Sequence, residues 1–380
     1  MRARELGIVI GRLQPGPRDA ITDVAGVRVG HATIIEGDGP LVVGRGPVRT
    51  GVTVILPHDG DVWNEPVFAG CHRLNGNGEL TGLEWIREAG QLGGAIAITN
   101  THSVGIVRDA LVAHSIRHRQ PRGRLWSLPV VGETWDGLLN DIDGLHVRPE
   151  HVDAALADAE AGADGRVAEG NVGGGTGMVC HDFKGGIGTA SRQVDGEGGP
   201  WTVGALVQAN YGNREDLRID GVPVGAALGL DAVPSPYAGQ PVPPGSGSII
   251  GILATDAPLL PHQAERLAHR AALGVARMGS TANHSSGDLF LAFATGNRAV
   301  PSAAAEPDGV PLVASVRMVP DARMTPLFKA AVEATEAAIV AALLAAETMT
   351  GRDGVIAHAL GAERLIEVMA RYGRGPRKAS

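Results

Sequence analysis

Residues 232–255 read AVPSPYAGQPVPPGSGSIIGILAT, and this stretch says most about the fold of the chain. Its first part, residues 232–247, holds five prolines and repeated Gly and Ser, which disfavour both a helix and a central strand. Its second part, residues 248–255, is a compact apolar run typical of a strand buried on both faces. The sequence therefore predicts an exposed linker that passes directly into a core strand between Gly247 and Ser248.

The segments on either side of this junction predict a mixed α/β chain. Short β-branched or apolar runs predict strands at residues 27–35, 52–57, 201–210 and 288–295. Apolar residues spaced three and four apart predict helices at residues 104–117, 151–161, 261–278, 326–349 and 355–372. Asn210 is predicted to lie at the end of its strand.

The composition limits the kind of core and the kind of partner. Hydrophobic residues make up 44% of the chain but aromatic residues only 3%, and there are 55 glycines, so we expect an aliphatic core with many close backbone approaches. A net charge of -8 gives no basic surface field, which argues against nucleic acid or an anionic membrane as a partner. No segment approaches the roughly 20 apolar residues of a membrane-spanning helix.

Two further features concern metals and location. Cys71 and Cys180 are too few for a disulfide framework and lack the paired spacing of a zinc site, so both are predicted to be buried free thiols. No metal or cofactor motif is found. The N-terminal residues lack the apolar stretch of a signal peptide, which favours a cytoplasmic location.

The Gly247–Ser248 bond has the chemistry needed for self-cleavage. Glycine offers no side chain to hinder attack on its carbonyl, and the adjoining strand can hold the bond in a strained geometry. An acyl shift from nitrogen to the Ser248 oxygen, followed by hydrolysis, would give Ser248 both a nucleophilic hydroxyl and a free α-amine. A Gly-Ser pair after a Pro-rich stretch is more often a plain linker, so this pattern alone leaves both interpretations open.

Eight segments, in order along nearly the whole chain, favour the catalytic interpretation: DAITDVAGVRVGH (19–31), GNGELTGLEWI (76–86), ITNTHSVG (98–105), VVGETWDGLLND (130–141), EGNVGGGTGMVCHDFKGGIGTASR (169–192), NYGNREDLRIDGVPVG (210–225), GSGSIIGILATDAPLLPHQ (245–263) and HSSGDLFLAFATGN (284–297). Together they closely resemble the family of L-aminopeptidase/D-amidase-esterase and β-peptidyl aminopeptidase enzymes. The resemblance implies one αββα four-layer sandwich over residues 1–380, cut into an α fragment (1–247) and a β fragment (248–380). It further implies a homo-oligomer, commonly a tetramer of αβ pairs, without a metal.

The same resemblance assigns roles to residues of this chain. Ser248 matches the processing serine and nucleophile; Ser246 is a local competitor, but its release would leave two extra residues ahead of the strand. Ser286 and Asp288 match the second active-site serine and its acid, where some members carry Glu. Asn210 matches the side-chain donor to the oxyanion, a role that requires a fixed donor.

Two more positions concern the substrate. Glu133 matches the glutamate that receives the free amino terminus of the substrate, which is a small peptide, amide or ester. Trp135 stands where some members have a tyrosine whose hydroxyl helps to bind the reacting carbonyl. Indole donates only through its ring N–H, so a backbone N–H, for example near Ile249, is an alternative second donor.

Other functions remain as alternatives. Related self-cleaving amidases or acyltransferases, similar to nylon-oligomer hydrolase or ornithine acetyltransferase, resemble a threonine-nucleophile scheme, whereas Ser248 and Glu133 favour an aminopeptidase. An uncleaved, non-enzymatic scaffold is the other alternative. The Gly run at residues 172–177 lacks the Gly-Lys-Ser/Thr of a phosphate loop, so close backbone packing accounts for it.

Overall fold

The computed structural model describes residues 2–118, 126–162, 165–241, 245–298, 300–302 and 310–374. The strands are β1 (Arg28–Glu36), β2 (Val48–Leu56), β3 (Val67–Gly76), β4 (Gln91–Leu92), β5 (Ile96–Asn100), β6 (Val130–Thr134), β7 (Val179–Cys180), β8 (Phe183–Lys184), β9 (Gly186–Val194), β10 (Trp201–Gly212), β11 (Gly245–Thr255), β12 (Gly287–Ala294), β13 (Met349–Thr350) and β14 (Ile356–Ala357). The helices are α1 (Leu83–Ala89), α2 (Val104–His118), α3 (Pro149–Ala161), α4 (Val224–Ala232), α5 (Pro261–Arg277), α6 (Thr325–Ala345) and α7 (Ala362–Arg371). The predicted mixed α/β class is confirmed.

Two larger sheets organise these strands. One has the order β1-β2-β5-β6, and the other has the order β4-β3-β12-β11-β10-β9. Pairing is antiparallel except between β5 and β6 and between β11 and β12. Strand β11, which carries Ser248, therefore lies in the interior of the six-stranded sheet, where its backbone is bonded on both sides.

Helices and a shared apolar cluster cover the faces of these sheets. Helices α2 and α3 pack on the four-stranded sheet, and α5 and α6 pack on the six-stranded sheet. Strand β11 contributes to two clusters: Ile249 and Leu253 pack with the helices, whereas Ile250 and Ile252 pack with residues of the four-stranded sheet. The prediction that this strand is buried on both faces is confirmed, because successive side chains of a strand point to opposite faces.

The linker differs in part from its prediction. Strand β11 begins at Gly245, two residues earlier than the predicted end of the linker, because Gly245 pairs with Gly212 across an irregularity after Asn210. Asn210 therefore lies inside β10 rather than at its end. Within the linker, Val233 and Tyr237 are buried, so this part of the segment is anchored rather than exposed. Residues 242–244 lie outside the described residues.

The last predicted helix is also shorter than expected. Residues 355–361 hold the short strand β14 and a connection, and helix α7 starts only at Ala362. Gly361 has a φ of 76° at the helix start, a conformation that an interior helical residue does not adopt. The apolar spacing that predicted a helix continues through residues 355–361, but Gly361 makes a turn there and the helix begins only after it.

Candidate active site

Ser248 lies at the centre of a group of backbone and side-chain donors. It is paired with Asn210 on β10 and with Gly287 on β12, and its side chain is buried. Because Ile250, two residues further on, packs between the sheets, the Ser248 side chain also points to that side. The backbone N–H of Gly287 donates a hydrogen bond of 3.0 Å to Ser248 Oγ. The hydroxyl oxygen is thus held in a fixed position.

Gly247 is required at its position by the close approach of β10. A Cβ atom built on Gly247 would lie 1.9 Å from the backbone oxygen of Asn210 and 3.3 Å from Asn210 Nδ2. Real Cβ atoms do not come so close to backbone atoms, so only glycine fits without a shift of the strands. The same distances put the side-chain amide of Asn210 next to the residue whose carbonyl precedes Ser248.

The side-chain amide of Asn210 is held at both ends. Its Oδ1 accepts a hydrogen bond of 2.7 Å from the backbone N–H of Val179, and its Nδ2 donates one of 2.9 Å to the backbone oxygen of Trp135. A flipped amide would set donor against donor and acceptor against acceptor. Nδ2 carries a second N–H, which has no acceptor among the described residues. Asn210 can therefore offer one oriented donor beside Gly247 and Ser248.

Ser286 and Asp288 form a hydrogen-bonded pair at the start of the neighbouring strand β12. Ser286 Oγ donates a bond of 2.6 Å to Asp288 Oδ1, and both side chains are buried. Burial raises the pKa of Asp288 to about 6, although the bond from Ser286 and the nearby amide of Ile249 act in the opposite direction. Asp288 Oδ2 has no partner in the described part of the chain. The pair thus has spare acceptor capacity and a proton affinity suited to acid–base work.

The orientation of this pair relative to the Ser248 hydroxyl follows from the strand pattern. Phe290, two residues after Asp288, packs on the helix side, so Asp288 points to that side and the Ser248 hydroxyl points to the other. In the described ranges, no hydrogen bond joins Ser248 Oγ to Ser286 or Asp288. The structure brings Ser248 and Asp288 onto paired strands, with Ser286 directly before the second strand, but it does not place the acid on the Ser248 hydroxyl.

Glu133 lies near the end of β6 and is 3% exposed. Its Oε1 accepts a bond of 2.9 Å from the backbone N–H of Glu79, and its Oε2 accepts one from the Thr101 hydroxyl. Burial raises the pKa of this carboxyl. A Cβ built on Gly78 would lie 3.1 Å from both Glu133 Oε1 and Gly287 Cα, so Gly78 fills the narrow space between Glu133 and the strand beside Ser248.

Trp135 contributes through its backbone. Its carbonyl oxygen is the acceptor for Asn210 Nδ2, while its indole ring lies over Gly137, where a built Cβ would be 2.8 Å from the ring Nε1. Among the described residues, the indole N–H makes no hydrogen bond to Ser248. The backbone N–H that contacts the Ser248 hydroxyl is that of Gly287.

Sequence reasoning gave no role to three backbone groups that shape this site. These are the N–H of Val179, the N–H of Gly287 and the loop at Gly78. These residues are glycine or valine, whose side chains carry no polar group. The only indication of a role in the sequence was that each residue lies inside one of the quoted motifs. Backbone donors are set by conformation, which residue type does not reveal.

With this geometry in place, comparisons with known proteins identify the family. The model of peptidase family S58 matches residues 19–357. The chain belongs to peptidase family S58. It is 48% identical over 380 residues to the β-peptidyl aminopeptidase BapA of Sphingosinicella microcystinivorans, covering 98% of this chain and 93% of that protein. This family membership makes the chain an aminopeptidase.

Solved structures of two aminopeptidases are similar to the whole chain. A β-aminopeptidase of Burkholderia sp. is 54% identical, with a TM-score of 0.89 over 98% of this chain and 99% of that one. The L-aminopeptidase D-Ala-esterase/amidase of Ochrobactrum anthropi is 44% identical, with a TM-score of 0.88 over 98% and 99%. That structure is described as a variant of the Ntn hydrolase fold and a prototype of the serine aminopeptidases. The S58 chain shares this fold.

Further features of the described residues concern membrane-spanning helices, metal-ligand groups and free thiols. None of the helices there combines the length and the apolar character needed to cross a bilayer. The same part of the chain holds no group of three or more His, Cys, Asp or Glu side chains arranged around a possible metal ion. Cys71 and Cys180 are both buried and free, as predicted.

Proposed function

We propose that this S58 peptidase cuts itself between Gly247 and Ser248, and that the freed Ser248 is then the nucleophile of an N-terminal-residue hydrolase. The observation that carries the proposal is the position of Ser248, with its hydroxyl fixed by the Gly287 N–H and its preceding residue next to Asn210 Nδ2. The nucleophile Ser248, the Gly247 carbonyl that it would attack and the oriented donor of Asn210 then lie close together on adjacent strands.

The self-cleavage step balances without any added reagent except water. Ser248 Oγ attacks the Gly247 carbonyl carbon, the C–N bond breaks as the acyl group moves to oxygen, and the hydroxyl proton passes to the Ser248 nitrogen, which becomes an amine. Water hydrolyses the resulting ester, which leaves a carboxylate on Gly247 and an α-amine on Ser248. During the attack, the free N–H of Asn210 Nδ2 stabilises the negative charge that develops on the carbonyl oxygen.

The same groups would serve the reaction with a substrate. Ser248 attacks the first peptide, amide or ester carbonyl, and an acyl-enzyme forms on its oxygen. The Ser248 α-amine or the Ser286 and Asp288 pair takes up the hydroxyl proton and returns it to the leaving group. Because Asp288 points away from the hydroxyl, its pair with Ser286 is better placed to act through the α-amine of Ser248.

Glu133 would select the substrate by its free amino terminus. The buried Glu133 carboxylate is fixed by one backbone donor and one hydroxyl donor. Because a buried negative charge is costly without a partner, the ammonium of a substrate would stabilise it. Gly78 lies between Glu133 and Gly287 of β12, the strand paired with the Ser248 strand, and this narrow space suits a short first residue. We infer small peptides, amides or esters that begin with an L-amino acid, D-alanine or a β-amino acid.

The organisation of the chain follows from this proposal. The helices packed on the outer faces of the two sheets would form an αββα four-layer sandwich made by both fragments of one domain, residues 1–247 and 248–380. The pairs would assemble into a homo-oligomer, with a tetramer of αβ pairs as the expected form, and the enzyme would work in the cytoplasm.

Intact mass spectrometry of the wild type beside Ser248→Ala tests the proposal. Two fragments from the wild type, one starting at Ser248, and a whole Ser248→Ala chain are expected. Hydrolysis of free-amine substrates but not of their N-acetylated forms then separates an aminopeptidase from a related amidase or acyltransferase. A wild type that stays whole when folded would reject the nucleophile and favour an uncleaved scaffold.

A further inference from the structure

Lys184 has an unusual environment for a charged side chain. It is fully buried, and its Nζ donates hydrogen bonds to the backbone oxygens of Gly175, Met178 and Gly185 at 3.2, 2.8 and 2.8 Å. No carboxylate lies within ion-pair distance of it among the described residues. Burial lowers the pKa of Lys184 to about 7. Burying an ammonium without a counter-ion is costly in solvation free energy, so an apolar side chain would serve packing better.

The carbonyls around Lys184 belong to the segment with the Gly run. Gly175 approaches β9 so closely that a built Cβ would lie 2.4 Å from the Ile187 nitrogen, and one on Gly177 would lie 2.3 Å from the Arg49 oxygen. These glycines let the backbone fold tightly enough for its oxygens to converge on one ammonium. The prediction that the Gly run serves close packing is confirmed, and Lys184 is the group on which it converges.

One of these carbonyls is linked directly to the oxyanion donor. The oxygen of Met178 and the N–H of Val179 belong to the same planar peptide group. Lys184 Nζ binds that oxygen at 2.8 Å, and the N–H on the other side of the plane donates to Asn210 Oδ1 at 2.7 Å. Rotation of this plane would remove the bond that keeps the Asn210 amide from flipping. Donation to the carbonyl also strengthens the N–H as a donor.

We propose that Lys184 is a positioning residue for catalysis, which fixes the Met178–Val179 peptide group and through it the orientation of the Asn210 amide. The proposal rests on the proposed role of Asn210 as the oxyanion donor. Lys184 itself contacts neither substrate nor the Ser248 hydroxyl; its effect reaches the reaction only through the direction in which Asn210 Nδ2 points.

The test compares Lys184→Met with a matched control, Arg192→Met. Methionine keeps most of the length of lysine and removes the charge and the donors. Arg192 is likewise buried and binds the backbone oxygens of Ser191 and Ile10, although it also pairs with Asp19 at 3.0 Å, and it lies near the far end of β9, opposite Val203. Both variants are expected to lower the thermal midpoint. Only Lys184→Met should slow self-cleavage and lower kcat, by roughly tenfold to a hundredfold, with KM nearly unchanged.

The second part of the test is a double-mutant cycle with Asn210→Ala. If Lys184 acts through Asn210, adding Lys184→Met to Asn210→Ala lowers kcat and the cleavage rate no further. Independent, multiplicative losses would overturn the proposal, and so would a Lys184→Met enzyme with wild-type kcat. If Asn210→Ala alone retains full activity, the oxyanion role in the proposed function fails instead.

A variant that keeps some donors covers the case in which Lys184→Met does not fold. Lys184→Gln retains an N–H₂ group, although a shorter one, so its kcat is expected to lie between those of the wild type and Lys184→Met. If neither variant folds, Lys184 is needed for the fold of residues 173–185 and the positioning role is rejected.

Discussion

Replacing Gly247 with alanine adds one methyl group at the closest contact between two strands of the active site. The new Cβ would start 1.9 Å from the Asn210 oxygen, and it must move to at least 3.0 Å. Strands β10 and β11 must therefore separate locally by roughly 1 Å, because the contact atom is backbone and cannot rotate away. The displaced atoms are those that join Asn210 to Ser248 across the sheet.

The size of the effect follows from the role of this contact. A misplacement of about 1 Å in a reacting pair lowers a rate by about 100-fold. This is equivalent to about 2.7 kcal/mol in the barrier. We expect Gly247→Ala to fold, as judged by circular dichroism, but to convert to fragments at least about 100-fold more slowly than the wild type.

The assay is a time course of intact mass after synthesis in a cell-free system, with Gly105→Ala as the matched control. A Cβ built on Gly105 meets nothing within 4 Å, so this variant should mature at the wild-type rate. A folded Gly247→Ala that matures within about threefold of the wild type would refute the reasoning, because a displacement of this size could not then matter to the reaction.

Three further predictions concern the mature enzyme. The folded pKa of Asp288 lies above its ordinary value, at about 6, so the carboxylate is lost as the pH falls below 6 and kcat/KM should fall with it; the same acid limb in Asp288→Asn would contradict this. Glu133→Gln keeps the shape but not the charge, so kcat/KM for free-amine substrates should fall roughly tenfold to a hundredfold, and an unchanged kcat/KM would exclude amine binding by Glu133. Trp135→Phe leaves the carbonyl that binds Asn210 in place, so kcat should change little, whereas a loss as large as that of Asn210→Ala would assign a role to the indole N–H.

The sequence predicted the secondary structure best where the apolar pattern was strong and uninterrupted. In helix α5, aliphatic side chains fill the single stripe that faces the core. In strand β11, aliphatic side chains fill both faces. Strand β3 was not predicted, because Gly70 and polar residues interrupt its pattern. A Cβ on Gly70 would lie 2.3 Å from the Glu265 nitrogen, so this glycine is explained only by the helix packed against it. At residues 355–361 the apolar periodicity misled because Gly361, with a φ of 76°, makes a turn before the helix.

The candidate residues of the site came from the sequence, but their relations did not. Ser248, Asn210, Ser286, Asp288, Glu133 and Trp135 were found through motifs far apart in the chain. The pairing of Ser248 with Asn210, and the opposite directions of Asp288 and the Ser248 hydroxyl, depend on strand order and register. Register is fixed by which face of each strand is buried in the assembled sheets.

By itself, the sequence determined the mixed α/β class of the fold, the buried strand that holds Ser248, and the chemical groups available for acyl transfer. Only the tertiary structure decided that the N–H groups of Gly287 and Val179 complete the site and that Lys184 stands behind Asn210. The physical reason is that side-chain chemistry is local to a residue. The direction of a backbone N–H and the burial of a charge are instead properties of segments brought together from distant parts of the chain.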